Sequence, residues 1–208
     1  LAWRQSYCPS GFKPADCENE IKSGKCHIQG SDLIGRPCFI VVARLHDMSV
    51  RDLEETKRFV IFNLDRVVSL CDAAGVEQFT GIFDLTGMPM AACDQKVVLF
   101  LLRMLEKNYP ERLGDLWLVN PGWVFWILWN CISPFIPTKT KKKIHFLSSD
   151  YKEVLCAQFD PTKLHTDFGG SVTDVHDPQT DWDELCAEGG EPEEATGGTE
   201  EELGAGAS

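Results

Sequence analysis

Two short stretches hold side chains whose types and spacing suit the capture of a phosphorylated, hydroxyl-rich group. Tyr109-Pro110-Glu111-Arg112 sets an acid beside a base just past a helix end. Thr138-Lys139-Thr140-Lys141-Lys142-Lys143 packs four lysines into five positions. On a helical turn Thr140 and Lys143 share a face by their spacing of three, which puts a hydroxyl beside an ammonium. Lysine would take the charge of a phosphate, while threonine or glutamate would take its flanking hydroxyls. On spacing alone, the simpler account of the run is a solvated lysine cluster.

Other chemistry is hard to find. The sequence holds no G-x-S-x-G elbow, no G-x-x-x-x-G-K-[ST] loop and no H-E-x-x-H pair. His27, His46, His145, His165 and His176 are scattered, with none at metal-ligand spacing from another. His145 reads as an ordinary strand residue. Asp84 ends an apolar run, where an α/β fold keeps its ligands, yet Thr86 and Gly87 beside it favour a turn role. The expectation is no catalytic residue and no metal.

Aromatic side chains crowd one segment instead. Trp123, Phe125, Trp126, Trp129 and Phe135 lie close together and include three of the six tryptophans. At about 100° per residue, the first four sweep roughly 160° of one side of a helix. Val124, Ile127 and Leu128 cover much of the other side. A helix apolar all round is deep core or a surface that meets lipid. In a small domain, it fits best between a cavity and the outside.

The elements that must position these groups follow from hydrophobic patterning. Cys8–Gly30 is polar and loop-rich, with one short helical candidate at Ala15–Ser23. Gly35-Arg36-Pro37 is turn chemistry, and Cys38–Ala43 after it is an apolar run of strand length. Ser49 can cap a long helix that Gly75 ends, with Asp52, Glu54 and Glu55 loading its first turns. Further strands are expected at Phe79–Leu85, Leu116–Asn120 and Ile144–Leu147. Helices are expected from Asp94 to Lys107, over Gly122–Cys131 and over Tyr151–Gln158. This alternation predicts an α/β fold: an open, largely parallel sheet wrapped by helices.

Composition bounds the rest. The formal charge of −12 belongs to the tail, since residues 171–208 hold 12 acids and no base. Residues 1–170 balance 20 bases against 20 acids, so a dedicated nucleic-acid binder is disfavoured. The tail is too poor in aliphatic residues to offset chain entropy and is expected to be disordered. The longest apolar run, Trp123–Trp129, falls short of the about 20 residues a membrane span needs. The nine cysteines, odd in number and without a C-x-x-C, read as reduced thiols of a cytosolic protein. Leu1-Ala2-Trp3-Arg4 reads as the last turn of a helix rather than a signal peptide.

Taken in order, several motifs resemble the CRAL-TRIO lipid-binding domain, the family of phosphatidylinositol/phosphatidylcholine transfer proteins and of tocopherol and retinal carriers. They are Leu1-Ala2-Trp3-Arg4, Gly35-Arg36-Pro37, Phe83-Asp84-Leu85-Thr86-Gly87 and Asn108-Tyr109-Pro110-Glu111-Arg112-Leu113-Gly114. Val119-Asn120-Pro121, Pro134-Phe135-Ile136 through Lys143-Ile144, and Asp160-Pro161 to Phe168-Gly169-Gly170 complete the set. The resemblance covers about residues 1–172. It implies a sheet that floors an apolar lipid pocket under a movable lid helix, and no catalysis. It divides the chain into the end of an N-terminal helical extension with its linker (1–30), the lipid-binding domain (31–172) and the acidic disordered tail (173–208). The helical domain that precedes the first motif in the family is absent from the sequence, so a longer product is expected.

In the phosphatidylinositol-binding branch, the headgroup is held by the Glu and Arg of the Y-P-E-R motif and by a Thr and a Lys before the next strand. Those positions here are Glu111, Arg112, Thr140 and Lys143. One departure is His165, which stands where the family has Pro after the final Leu. Acyl chains are expected among Phe83, Val98, Leu102 and Trp117, and the lid or membrane contact at Trp123, Phe125, Trp126, Trp129 and Phe135. The resemblance thus implies a cytosolic, monomeric lipid-transfer module that carries phosphatidylinositol, needs no cofactor beyond that phospholipid, and touches membranes transiently. The alternatives are a lipid-sensing regulatory module within a signalling protein, or a carrier of an apolar isoprenoid.

Overall fold

The computed structural model describes Trp3, residues 11–173 and residues 176–188. The expected helical turn at Leu1–Arg4 falls outside the described residues apart from Trp3, and so does the tail beyond 188. The strands are β1 (Cys26–Ser31), β2 (Pro37–Val42), β3 (Phe79–Asp84), β4 (Leu113–Val119) and β5 (Ile144–Leu147). The helices are α1 (Glu18–Lys22), α2 (Leu53–Ala74), α3 (Gln95–Lys107), α4 (Trp123–Ile132), α5 (Thr138–Lys141), α6 (Tyr151–Cys156) and α7 (Pro178–Glu188). The strands form one sheet in the order of the sequence. β1 pairs antiparallel with β2, and the other three pairings are parallel.

That order fixes where the helices go. Right-handed crossovers between neighbouring parallel strands, taken one after another, stack α2, α3 and α4 on one face of the sheet. After β5 the chain returns across the other face, where Leu155, Phe159, Leu164 and Phe168 pack on Cys38, Ile40, Ile82, Trp117, Val119 and Leu147. Period-two alternation then assigns each strand residue to a side. Phe39, Val41, Gly81, Phe83, Leu116 and Leu118 look toward the three helices. Gly169, at φ 93, and Gly170 permit the return turn, because a Cβ on Gly170 would stand 1.9 Å from the Leu164 carbonyl.

Three expectations change. The long helix opens at Asp52, whose carboxylate accepts the backbone N–H groups of Glu54 (2.7 Å) and Glu55 (3.0 Å). Ser49 bonds Asp47 instead. β1 lies inside the stretch read as loop. Its Gln-Gly-Ser end carries little strand propensity, and pairing with β2 makes the strand. The tail expected to lack order from 173 onward contains α7. Leu185 of α7 is buried against Cys17, Ile21, Cys26, Phe59 and Phe62, and Trp182 packs beside it. Averaging composition over a long acidic segment hides two apolar side chains spaced by three.

Candidate ligand-binding site

Helices α2, α3 and α4 stand off the sheet rather than closing on it. They leave a cavity of about 210 Å³ floored by Phe39, Val41, Phe83, Leu116 and Leu118. Its walls come from Phe59 and Leu64 of α2, from Val97, Val98, Leu101, Leu102 and Leu105 of α3, and from Phe125, Leu128, Trp129 and Ile132 of α4. Helical spacing on α3 and α4 aims these residues one way. Phe83, Val98 and Leu102 therefore line the cavity. Trp117 does not. Flanked by Leu116 and Leu118, it must face the opposite side, where its ring stacks on His145 at 4.2 Å.

The polar side chains along the cavity are engaged with one another. Lys25 pairs with Glu20 and lies 3.1 Å from His46 Nδ1, while His46 Nε2 lies 3.3 Å from Asp94. Arg51 also pairs with Asp94, and Thr56 donates to Glu20 at 2.8 Å. Burial lowers the His46 pKa, with Lys25 adding to the effect. Burial would raise that of Asp94, but hydrogen bonds from Arg51, the Val97 N–H and His46 outweigh it and hold the carboxyl below its ordinary range. The cavity thus offers hydrocarbon surface and little else, a wall suited to alkyl chains.

The charged groups lie at one edge of this cavity, where β4 and β5 begin. Leu113, Thr140 and Ile144 line the cavity there, and Lys143 Nζ donates to the Leu113 carbonyl at 2.5 Å. Glu111, on the turn before β4 with φ 60, accepts from Lys139 at 2.7 Å and has Lys143 Nζ 3.6 Å away. A positive φ at a glutamate is a strained conformation of the kind that functional turns keep. The hydrogen bond from Lys139 holds the Glu111 carboxyl below the usual range. Arg112 points elsewhere, bonding Asp72 (3.1 Å) and the Glu77 carbonyl (3.2 Å) beyond α2. Glu111, Thr140 and Lys143 are brought to one rim, and Arg112 is not. Lys139 joins them. Its signal was the lysine run itself, in which spacing marked only the pair on one face.

Helix α4 covers the cavity. Val124, Phe125, Leu128 and Ile132 are buried, whereas Trp123 is 70% exposed, Trp126 41% and Ile127 45%. Phe135, in the turn that follows, is 63% exposed. Trp129 is half-buried and faces inward, so of the five residues expected at the lid Phe125 and Trp129 line the cavity and Trp123, Trp126 and Phe135 face out. Phe146 of β5 joins the two sets, with ring centroids 5.2 Å from Trp126 and 5.0 Å from Trp129. The helix starts at Gly122 without a side-chain cap and ends before Pro134 and Pro137, so both ends are weakly tethered.

Residues 21–170 match the CRAL/TRIO domain family. The chain belongs to it. CRAL/TRIO relatives include the phosphatidylinositol transfer protein CSR1 of Eremothecium gossypii, 30% identical over 163 residues, covering 74% of this chain and 36% of the relative. The phosphatidylinositol/phosphatidylcholine transfer protein SFH12 of Arabidopsis thaliana is 30% identical over 159 residues, covering 69% and 29%. A CRAL-TRIO domain-containing protein of Schizosaccharomyces pombe is 27% identical over 158 residues, covering 76% and 35%. The chain thus spans about a third of the length of these curated relatives. The crystal structure of Sfh5 superposes with a TM-score of 0.60 at 18% identity, over 84% of this chain and 69% of that one, which shows the shared fold.

Within that fold, other family motifs have structural work. Arg36 bonds Asp32 Oδ2 at 2.6 Å and Asp115 Oδ2 at 2.7 Å, and Asp115 Oδ1 lies 2.8 Å from His145 Nε2. Gly114 is required beside it, because a Cβ there would stand 2.2 Å from the Arg36 guanidinium. Asp84 has the turn role, accepting the Thr86 N–H at 3.0 Å and pairing with Arg44 at 2.6 Å. Among the described residues, no side-chain group is arranged to hold a metal ion, and no helix is long and apolar enough to cross a membrane.

Proposed function

We propose that this chain is a phospholipid-binding module that takes phosphatidylinositol from one membrane and releases it at another. The observation that carries the reading is the joining of two chemistries at one edge: an alkyl cavity, and the rim of Glu111, Thr140 and Lys143 with Lys139 beside them. Lys143 and Lys139 meet the phosphate, and Glu111 and Thr140 meet the inositol hydroxyls. To do so, the two lysines give up part of their contact with Glu111. Acyl chains lie over Phe83 between Val98 and Leu102, out of water. An apolar isoprenoid would fill the cavity but leave this rim unused. The residues bind and orient a lipid, and no bond is made or broken.

A lipid cannot pass beneath α4 while that helix covers the cavity, so α4 must move. Trp123, Trp126 and Phe135 on its outer side are the residue types that settle at a membrane interface. We read α4 as the lid, swinging outward at a bilayer and closing in water, with the protein cytosolic and peripheral. Transfer of fluorescent phosphatidylinositol between vesicles tests this. The native protein should accelerate transfer, and Glu111→Ala should slow it severalfold without loss of folding. Equal transfer by both proteins would refute the headgroup assignment.

A further inference from the structure

His27 of β1, His165 of the return segment and His176 come together in the fold. The rings of His27 and His176 stack, with centroids 3.9 Å apart and planes 14° from parallel. His165 Nδ1 accepts the Asp167 N–H at 3.1 Å. Among the described residues, His27 Nδ1, His165 Nε2 and His176 Nε2 are all buried without a hydrogen-bond partner. From His176 the chain runs into α7. Pro178 presses on Gly24, where a Cβ would stand 2.5 Å away, the Lys22 ammonium sits 4.9 Å over the Trp182 ring, and Leu185 is buried against Ile21 and Phe59.

We infer that His176–Glu188 is a strap held to the body by the histidine stack and released when His27 takes a proton. The charges around the stack are placed unevenly. Asp181 of α7 lies 3.7 Å from His176 Nε2, and Asp167 lies 3.4 Å from His165. Each of these carboxylates sits beside its own histidine. Among the described residues, no carboxylate lies within ion-pair distance of His27, and its ladder partner on β2, Ile40, carries no charge. Lys25, two residues away, is already paired with Glu20. A proton on His27 therefore meets only two other imidazoles and a dry environment.

Burial first, then His176 and His165, lower the His27 pKa to about 3. With the strap released, the ring returns toward the ordinary value of about 6.5. The sign follows: docking is fully favoured above about pH 6.5 and weakens up to tenfold per pH unit below it, until about pH 3. Release uncovers the apolar cluster of Cys17, Ile21, Cys26, Phe59 and Phe62, whose members Cys26 and Phe59 also line the cavity. Acid would thus loosen one end of the ligand chamber while leaving the sheet intact.

Hydrogen exchange of the α7 amides in the full chain, corrected for intrinsic rates, tests the strap, with β3 as the internal reference. Between pH 7.5 and pH 5, α7 should lose roughly tenfold or more of its protection while β3 keeps its own. His27→Phe should stay docked and respond to neither pH. Unchanged α7 protection in the native protein, or the same loss in His27→Phe, would overturn the inference. Should that variant fail to fold, an NMR titration of His27 in the native protein decides. A ring that stays neutral to pH 5 while the strap is docked supports the strap, and one that titrates near 6.5 with α7 still protected overturns it.

Discussion

The two faces of the sheet are built from the same strands and end in different states. On one face, Ile82 and Leu155 are 0% exposed and Phe159 2%, at the centre of a buried apolar cluster. On the other, residues alternating with these carry equally apolar side chains, yet three helices leave about 210 Å³ open between them. Hydrophobicity does not distinguish the faces. The difference is what covers them: a chain folded back through Gly169-Gly170 on one side, and three long helices, one of them weakly tethered, on the other. Close packing gives the first face stability, and its absence gives the second a place for a ligand.

The largest expected effect breaks this contrast directly. Phe159→Ala should lower unfolding free energy by about 3–5 kcal/mol, because it opens a void in a close-packed layer. Phe83→Ala enlarges a space that already exists, and should cost clearly less. Urea unfolding of both variants measures the difference, and equal losses would mean that the cavity face is packed as tightly as the other. Next comes the rim. Lys143→Ala should weaken phosphatidylinositol binding by about 1.5–3 kcal/mol, roughly ten- to a hundredfold, with unfolding nearly unchanged.

A smaller effect concerns α4. Adding vesicles should shift tryptophan emission to the blue, and Trp126→Ala with Trp123→Ala should remove most of that shift and reduce transfer while the fold survives. No shift in the native protein would place the lid elsewhere. The smallest is the pH response of the polar network at the cavity's end. The lowered His46 pKa makes its contribution to stability full above about 6.5 and declining below. The depressed Asp94 pKa adds a loss that begins lower, as pH falls through the carboxylate range. Melting temperature should therefore fall by a few degrees from pH 7 to pH 5 and more steeply below pH 4. His46→Gln should reduce the first part, leaving the share that His27 carries.

Much of this was legible in the sequence, and all but one of the failures share a cause. β5 at Ile144–Leu147, the cap at Asp94 and the stop at Gly75 were set by local chemistry: a short apolar run, a carboxylate before a helix, a glycine able to take φ 69. Glu111, Thr140 and Lys143, which spacing and family motif singled out together, stand at one rim. Trp117 was misplaced although its neighbours carried the answer, since counting alternation from Leu116 puts it on the far face. Arg112 was misplaced for a reason no local pattern holds, because its partners are Asp72 in the last turn of α2 and Glu77 in the loop after it. β1 and α7 were missed because each owes its order to a partner, β2 for one and the Cys17–Phe62 cluster for the other.

The claim beneath all of this is that one lipid spans both chemistries, its chains in the cavity and its headgroup at the rim. Native mass spectrometry of the protein purified from cells reads that lipid directly. The native chain should carry one phosphatidylinositol, and Glu111→Ala with Lys143→Ala should lose it while staying folded. An isoprenoid in the native protein, or phosphatidylinositol retained equally by the double variant, would contradict the account.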